Sequence, residues 1–339
     1  MSSTSISGEA SPSSADFEHS SNALLRSVSR SFYLTIRVLP ASLRAPIGLA
    51  YLLARASDTI ADSATASAET RLGHLSAFQA MVRDGSAEGL PLLQQEITPP
   101  DASEQQLIRR LPECLRVLAG LDEPARQEII SVLEKITHGQ SLDLQRFPAA
   151  AGPNIIALQT AAELEEYTYL VAGCVGEFWT RLCFQRLPHY SQTDPAELCR
   201  IGINYGKGLQ LVNILRDLPA DLRTGRCYLP EEELRKSGLA PADLVQNPKS
   251  VRDVFYHWHA RATELLDDGR QYITALRPAR LRVGCFLPWI LGIKTLELLQ
   301  KTSPLESPAR LKVSRSIVRQ ALLLAPLVAV SNLPLRKAN

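Results

Sequence analysis

The chain has no CxxC pair. Its six cysteines (Cys114, Cys174, Cys183, Cys199, Cys227 and Cys285) lie far apart, with no histidine at metal spacing. That excludes a disulfide frame and a zinc site, and it reads as the reduced thiols of a cytoplasmic protein. Charge of neither sign dominates: Lys+Arg 37 against Asp+Glu 35 leaves +2, which argues against a nucleic-acid binder. A long apolar run is missing too. Ala321–Val330 is interrupted by Pro326 and followed by Ser331-Asn332, whereas a spanning helix needs about 20 apolar residues. No transmembrane anchor is expected, and only weak peripheral attachment to a membrane is left open. Residues 2–15 hold seven serines and no apolar core of a signal peptide, so residues 1–18 read as a disordered tail. There is no G-x-G-x-x-G, so any nicotinamide cofactor sits outside a Rossmann crevice. A fixed-period repeat is also absent, which excludes a helical solenoid.

What remains is a chain of 45% hydrophobic residues with helix-period patterning, enough to bury a sizeable core. The periodicity predicts helices over about 20–37, 46–63, 67–84, 104–119, 123–138, 155–186, 196–217, 250–276, 281–301 and 313–325. Pro40, Gly85-Ser86, Pro99-Pro100, Gly152-Pro153, Pro188 and Pro304 punctuate them. Asp101 and its neighbours read as a loop and N-cap, and Asn154 as the cap of the long helix behind it. Ten helices without strands predict one all-α bundle over 19–330, with a cavity along its axis and a short tail at 331–339.

Two of these helices break their own apolar pattern. Between Pro46 and Ser63, residues Ile47, Leu49, Leu52, Leu53 and Ile60 mark a buried helix. Yet Tyr51, Arg55, Asp58 and Asp62 follow at steps of four, three and four, all on one face. Over 201–221, Gln210, Asn213, Asp217 and Asp221 form a second stripe, while Leu209, Leu211, Val212, Ile214 and Leu215 cover the rest. Pro219 places Asp221 on a kinked or terminating turn. The ordinary reading of one such stripe is a solvated face closed by salt bridges. Two stripes on otherwise buried helices, each with an arginine (Arg55, Arg216), point instead to chemistry. Buried carboxylates need a cation. Mg²⁺, with Mn²⁺ as an alternative, takes hard oxygen ligands and bridges carboxylates to phosphate oxygens, while arginine supports the same phosphates in bidentate fashion. The pattern describes a site that ionises an organic diphosphate beside an apolar pocket that keeps water away from a carbocation.

Five blocks carry a resemblance. They are Ser29-Arg30-Ser31-Phe32, Tyr51-x-x-x-Arg55-x-x-Asp58-Thr59-Ile60-Ala61-Asp62, Tyr167-Thr168-Tyr169-Leu170-Val171-Ala172-Gly173-Cys174-Val175-Gly176, Gln210-x-x-Asn213-Ile214-Leu215-Arg216-Asp217-x-x-x-Asp221, and Gly225-Arg226-Cys227-Tyr228-Leu229-Pro230. In order and spacing, over about 20–300, the chain resembles the squalene/phytoene synthase family of head-to-head prenyltransferases. The resemblance implies an isoprenoid-synthase-type helical bundle around a central apolar cavity. It also implies condensation of two farnesyl diphosphates through a cyclopropyl diphosphate, followed in the squalene branch by reduction with NADPH. Matched residue by residue, it implies Mg²⁺–diphosphate ligands at Asp58, Asp62, Asp217 and Asp221. Diphosphate contacts are implied at Ser29, Arg30, Ser31, Arg55, Gln210, Asn213, Arg216 and Arg226. Tyr167 matches a tyrosine near the reacting carbocation, as proton acceptor or cation-stabilising ring, with Tyr51 as a helper and Tyr167 expected to face the hydrocarbon cavity. Phe32, Val171, Val175, Trp179, Cys285 and Pro288 are expected to line that cavity, although Trp179 stands where a smaller aliphatic residue is usual. Asn213, Arg216, Lys312 and Arg315 are expected near the NADPH phosphates.

Within the family, Tyr51-Leu-Leu-Ala-Arg55-Ala-Ser-Asp58-Thr59 reads closer to the squalene branch, a farnesyl-diphosphate farnesyltransferase, than to the phytoene branch, whose pattern has Asp-Asp at the Asp-Thr position. The alternatives are a presqualene diphosphate synthase that stops halfway and a phytoene or dehydrosqualene synthase. Further off stand a class I terpene cyclase and, from another class, a non-catalytic helical scaffold. His257 and His259 lie two apart and point in different directions on a helix, which reads as packing.

Overall fold

The computed structural model of the chain describes residues 23–29, 32–148, 155–246, 251–307 and 310–336. Side-chain caps open many of its helices. Ser67 accepts from the Thr70 N–H to start α4 (Ala68–Asp84), and Asp101 accepts from Ser103 and Glu104 to start α6 (Ala102–Arg109). Asp122, Thr160, Asp194 and Ser314 do the same for α8 (Glu123–Arg146), α9 (Ala161–Thr168), α11 (Pro195–Arg223) and α16 (Arg315–Val330). Each cap satisfies an otherwise orphaned N–H for about 1 kcal/mol. The remaining helices are α1 (23–28), α2 (Phe32–Val38), α3 (Ala41–Ala61), α5 (Leu90–Glu96), α7 (Leu111–Ala119), α10 (Cys174–Arg186), α12 (Glu231–Lys236), α13 (Asp243–Gln246), α14 (Arg252–Ala275), α15 (Ala279–Lys301) and α17 (Leu333–Arg336).

The bundle is the all-α fold expected, with local differences. The stretch 20–37 breaks at Ser29, and 104–119 breaks where Pro112 begins a new helix as α7. In place of one helix over 155–186, Ile156–Ala157 forms strand β1, which pairs in parallel with β2 (Arg226–Cys227). Thr160 then caps α9, and a five-residue π-helix (Tyr169–Gly173) links α9 to α10. Asn154 and Gly152-Pro153 lie outside the described residues. Helix α8 runs on past 138 to Arg146, and α16 runs through Pro326 to Val330. Pro219 likewise sits inside α11, which continues to Arg223. A proline there removes a single backbone bond, so Asp221 stays in the last helical turn.

Helix α11 is the spine. It packs against α10, α14 and α15, while α3 packs on α8 and α4. The α10–α11 crossing is possible only because glycines meet there. A Cβ on Gly176 would lie 2.0 Å from the Gly202 carbonyl oxygen, and one on Gly206 would lie 2.4 Å from that of Ala172. Among the described residues one helix, α15, is long and apolar enough to cross a membrane, and half of its apolar window is buried inside the bundle.

Substituting Gly176 with Ala must therefore push two backbones apart. It should destabilise the chain by about 1–3 kcal/mol in urea unfolding. Gly73, on α4 with open space around it, should give the opposite sign, gaining about 0.5–1 kcal/mol as Ala.

Candidate active site

The two polar stripes come from α3 and α11. On α3, Gln140 Nε2 of α8 donates to Asp58 Oδ1 at 2.6 Å, and Arg55 Nη1 lies 3.7 Å from Asp58 Oδ2. Arg55 also donates to Glu104, whose placement follows from the Asp101 cap. Asp62 closes α3, its N–H on the Asp58 carbonyl. Burial, and then the neighbouring Asp62, push the Asp58 carboxyl up to about 6. On α11, Arg216 reaches Asp217 with Nε at 3.0 Å and Nη2 at 2.6 Å, and Arg310 reaches it with two nitrogens at 2.6 Å. Burial works against the Asp217 carboxylate, but the two arginines outweigh it and hold the pKa below the usual range. Among the described residues Asp221 has no such partner. Burial and the Asp217 charge raise it to about 7. Among the described residues, neither Asp62 nor Asp221 makes an ion pair.

Between the stripes stands a group supplied by α8 and the β1–β2 pair. Arg226 Nη1 donates to Asp143 Oδ2 at 2.8 Å, and the Tyr228 hydroxyl donates to Asp143 Oδ1 at 2.7 Å. The Tyr167 ring stacks on Tyr228 with centroids 4.9 Å apart, and their hydroxyls are 3.5 Å apart. Asp62 acts electrostatically on Arg226 and Asp143, and Arg226 and Asp143 act on Asp221, so both carboxylates lie within electrostatic reach of this pair. Burial, with Asp143 nearby, raises the Tyr167 phenol and keeps it neutral. Arg71 of α4 adds a further cation in the field of Asp62 and Arg226 while holding the Ala61 carbonyl at 2.7 Å.

Next to this polar end lies an apolar cavity of about 240 Å³. All six expected wall residues line it: Phe32, Val171, Val175, Trp179, Cys285 and Pro288. Gln210 and Asn213 line it too, which fixes its position relative to the carboxylates. Along α11 the wall runs from Gly202 to Asn213, and Asp221 follows eight residues later, about 12 Å along the axis. Tyr205 and Tyr272 also face the cavity, their hydroxyls engaged by the Cys285 carbonyl at 2.7 Å and by Thr180 at 2.7 Å. Tyr167 is not among the lining residues. The π-helix inserts an extra residue between it and Val175, which leaves Val171 and Val175 on the cavity and turns Tyr167 to Tyr228 and the carboxylates. Tyr51 stacks on Phe32 with centroids 5.0 Å apart, its hydroxyl 3.4 Å from the Val28 carbonyl and close to buried Ser29.

The family model for squalene/phytoene synthases matches residues 25–316. The chain belongs to the squalene/phytoene synthase family. A bifunctional lycopene cyclase/phytoene synthase from Blakeslea trispora is 30% identical over 216 residues, covering 63% of this chain and 32% of the relative. A squalene synthase from Schizosaccharomyces pombe is 26% identical over 276 residues, covering 80% of this chain and 57% of the relative. The chain thus spans less than two thirds of either. The same fold occurs in TcSQS solved with the ligand BPH1237, at a TM-score of 0.76 and 20% identity over 93% of this chain and 89% of that one.

For this squalene/phytoene synthase family member, no group of three or more His, Cys, Asp or Glu side chains among the described residues forms a metal cage. The residues fit Mg²⁺ in another way. Asp221, half-buried beside Asp217, has no ion pair among the described residues, and Asp62 stands exposed at the end of α3; both offer the hard oxygen ligands that Mg²⁺ would take, completing its octahedron with phosphate oxygens and water. Arg30 and Ser31 lie outside the described residues. Lys312 and Arg315 are exposed, on the segment that Arg310 pins to Asp217. His259 is buried against the Leu296 carbonyl at 2.9 Å, in agreement with packing. Sequence reasoning missed Glu104, Gln140, Asp143 and Arg310, and gave Tyr228 no role although its block was singled out. Gln140 and Asp143, three apart, gave a detectable signal, since Ile136 and Leu144 continue the apolar pattern of α8 around them.

Folded Asp58 and Asp221 hold protons more tightly than the unfolded chain, whose aspartates titrate near 3.8. Their contribution to stability is full below pH 3.8 and is lost as pH rises to about 7. In EDTA, Asp221→Asn should therefore be about 1–2 kcal/mol more stable than the unsubstituted chain at pH 8 and no more stable at pH 4, as read by urea unfolding. An equal gain at both pH values would contradict this.

Proposed function

We propose that the chain is a squalene synthase, which joins two farnesyl diphosphates head to head through presqualene diphosphate and then reduces that intermediate to squalene. The observation that carries the reading is Asp221, half-buried and without an ion pair among the described residues, in the electrostatic field of Arg226 together with the exposed Asp62, beyond the polar end of an apolar, aromatic-walled cavity. Supporting it are the family match and the squalene-type form of Tyr51–Asp62.

Asp58, Asp62, Asp217 and Asp221 would hold Mg²⁺, which when bound neutralises diphosphate charge and makes it a better leaving group. Arg55, Arg216 and Arg226 bring donors to the same oxygens. The cavity takes the hydrocarbon chains and excludes water from the allylic cation, and the faces of Phe32, Trp179, Tyr205 and Tyr272 stabilise it. Tyr167, neutral, accepts the proton lost when the cyclopropane closes. Its own proton passes to the Tyr228 oxygen and that of Tyr228 passes to Asp143 Oδ1, whose pKa is raised by burial. NADPH, held near Asn213, Arg216, Lys312 and Arg315, would supply the hydride of the second half.

Labelled farnesyl diphosphate with Mg²⁺ tests this reading. With NADPH the product should be squalene; without it, presqualene diphosphate or its solvolysis alcohols should accumulate; with EDTA, turnover should stop. Asp58→Asn and Asp217→Asn should each lose about a hundredfold in rate or more, and Tyr167→Phe should fold but lose the cyclopropyl intermediate. Presqualene diphosphate unchanged by NADPH would move the chain to the half-reaction. A C40 product from geranylgeranyl diphosphate would move it to the phytoene branch, which the Blakeslea relative favours.

A further inference from the structure

Nine large hydrophobic side chains among the described residues are exposed, and five of them lie on α16: Leu322, Leu323, Leu324, Leu327 and Val330. Leu323 and Val330 are the most open, at 77% and 84%. The inner face of α16 is accounted for. Ala321, Ala325 and Val328 are buried, and the helix packs along α15. Its outer face changes character along its length. In the first turns Arg315, Ser316, Arg319 and Gln320 are exposed, and from Leu322 onward the same face is apolar. From Arg310 to Asn339 the sequence carries six basic residues and no Asp or Glu.

We propose that α16 docks this protein on an anionic lipid surface, with Leu323, Leu327 and Val330 entering the acyl boundary and Arg319 at the headgroups. A helix with a basic stem and an apolar face lies in the interfacial plane, and buried apolar area and attraction to anionic lipid add together in its binding. Charge selects this occupant over a second copy. An isologous contact sets one basic segment near another, whereas anionic headgroups compensate it. The opposite side of α15 contributes Gly284, Cys285 and Pro288 to the cavity, so docking would place the cavity one helix away from lipid. The inference does not depend on which product is made.

Vesicle flotation with the full chain tests it, comparing phosphatidylcholine alone with a 70:30 mixture of phosphatidylcholine and phosphatidylserine. Binding should favour the anionic vesicles and weaken with salt. Arg319→Glu should lower the partition coefficient on anionic vesicles by about fivefold or more. The double variant Leu323→Asp/Leu327→Asp should lower it by about tenfold or more, with an unchanged circular dichroism spectrum and melting temperature, because both leucines are exposed. Vesicle binding insensitive to these changes would overturn the proposal. So would a chain that ignores vesicles and instead self-associates in sedimentation through Leu323.

Discussion

Several carboxylates share one recess of an apolar bundle, and the balance of charge there governs the rest of the site. Arg55 is committed to Glu104 and Asp58, Arg216 and Arg310 to Asp217, and Arg226 to Asp143. Among the described residues Asp62 and Asp221 are left without an ion pair, one from each stripe, and of the two Asp62 is exposed while Asp221 is half-buried. A carboxylate out of bulk water without a cation is costly, and the raised Asp221 pKa expresses that cost. A cation that arrives together with an anionic ligand removes it.

The backbone supplies this arrangement through close approaches and one irregular turn. Glycines at 176, 202 and 206 let α10 and α11 cross with their backbones almost touching, which sets the cavity wall beside the polar stripe of α11. The π-helix at Tyr169–Gly173 divides one stretch of chain between two tasks, with Tyr167 toward the carboxylates and Val171 and Val175 toward the cavity. The two-residue pairing of β1 and β2 holds Arg226 and Tyr228 against α8. In this way the hydroxyl chain from Tyr167 ends on Asp143.

Much of this was legible because helical spacing alone decides which residues share a face. Tyr51, Arg55, Asp58 and Asp62 could be grouped without a structure, as could Gln210, Asn213, Asp217 and Asp221. The resemblance supplied the six wall residues. Partners that meet only in three dimensions were not legible: Glu104 reaches Arg55 across 49 positions, Gln140 reaches Asp58 across 82, and Arg310 reaches Asp217 across 93. A two-residue strand carries no periodicity at all. The π-helix hides within an apolar run, so a regular helix drawn through it aims Tyr167 at the wrong wall.

The central claim is that Asp62 and Asp221 accept a diphosphate only together with a divalent cation. Calorimetric titration with the unreactive farnesyl S-thiolodiphosphate measures this without turnover. Binding should be readily detected in Mg²⁺, weaken by about a hundredfold or more in EDTA, and lose most of its Mg²⁺ dependence in Asp221→Asn. Equal affinity with and without Mg²⁺ in the unsubstituted chain would contradict the account.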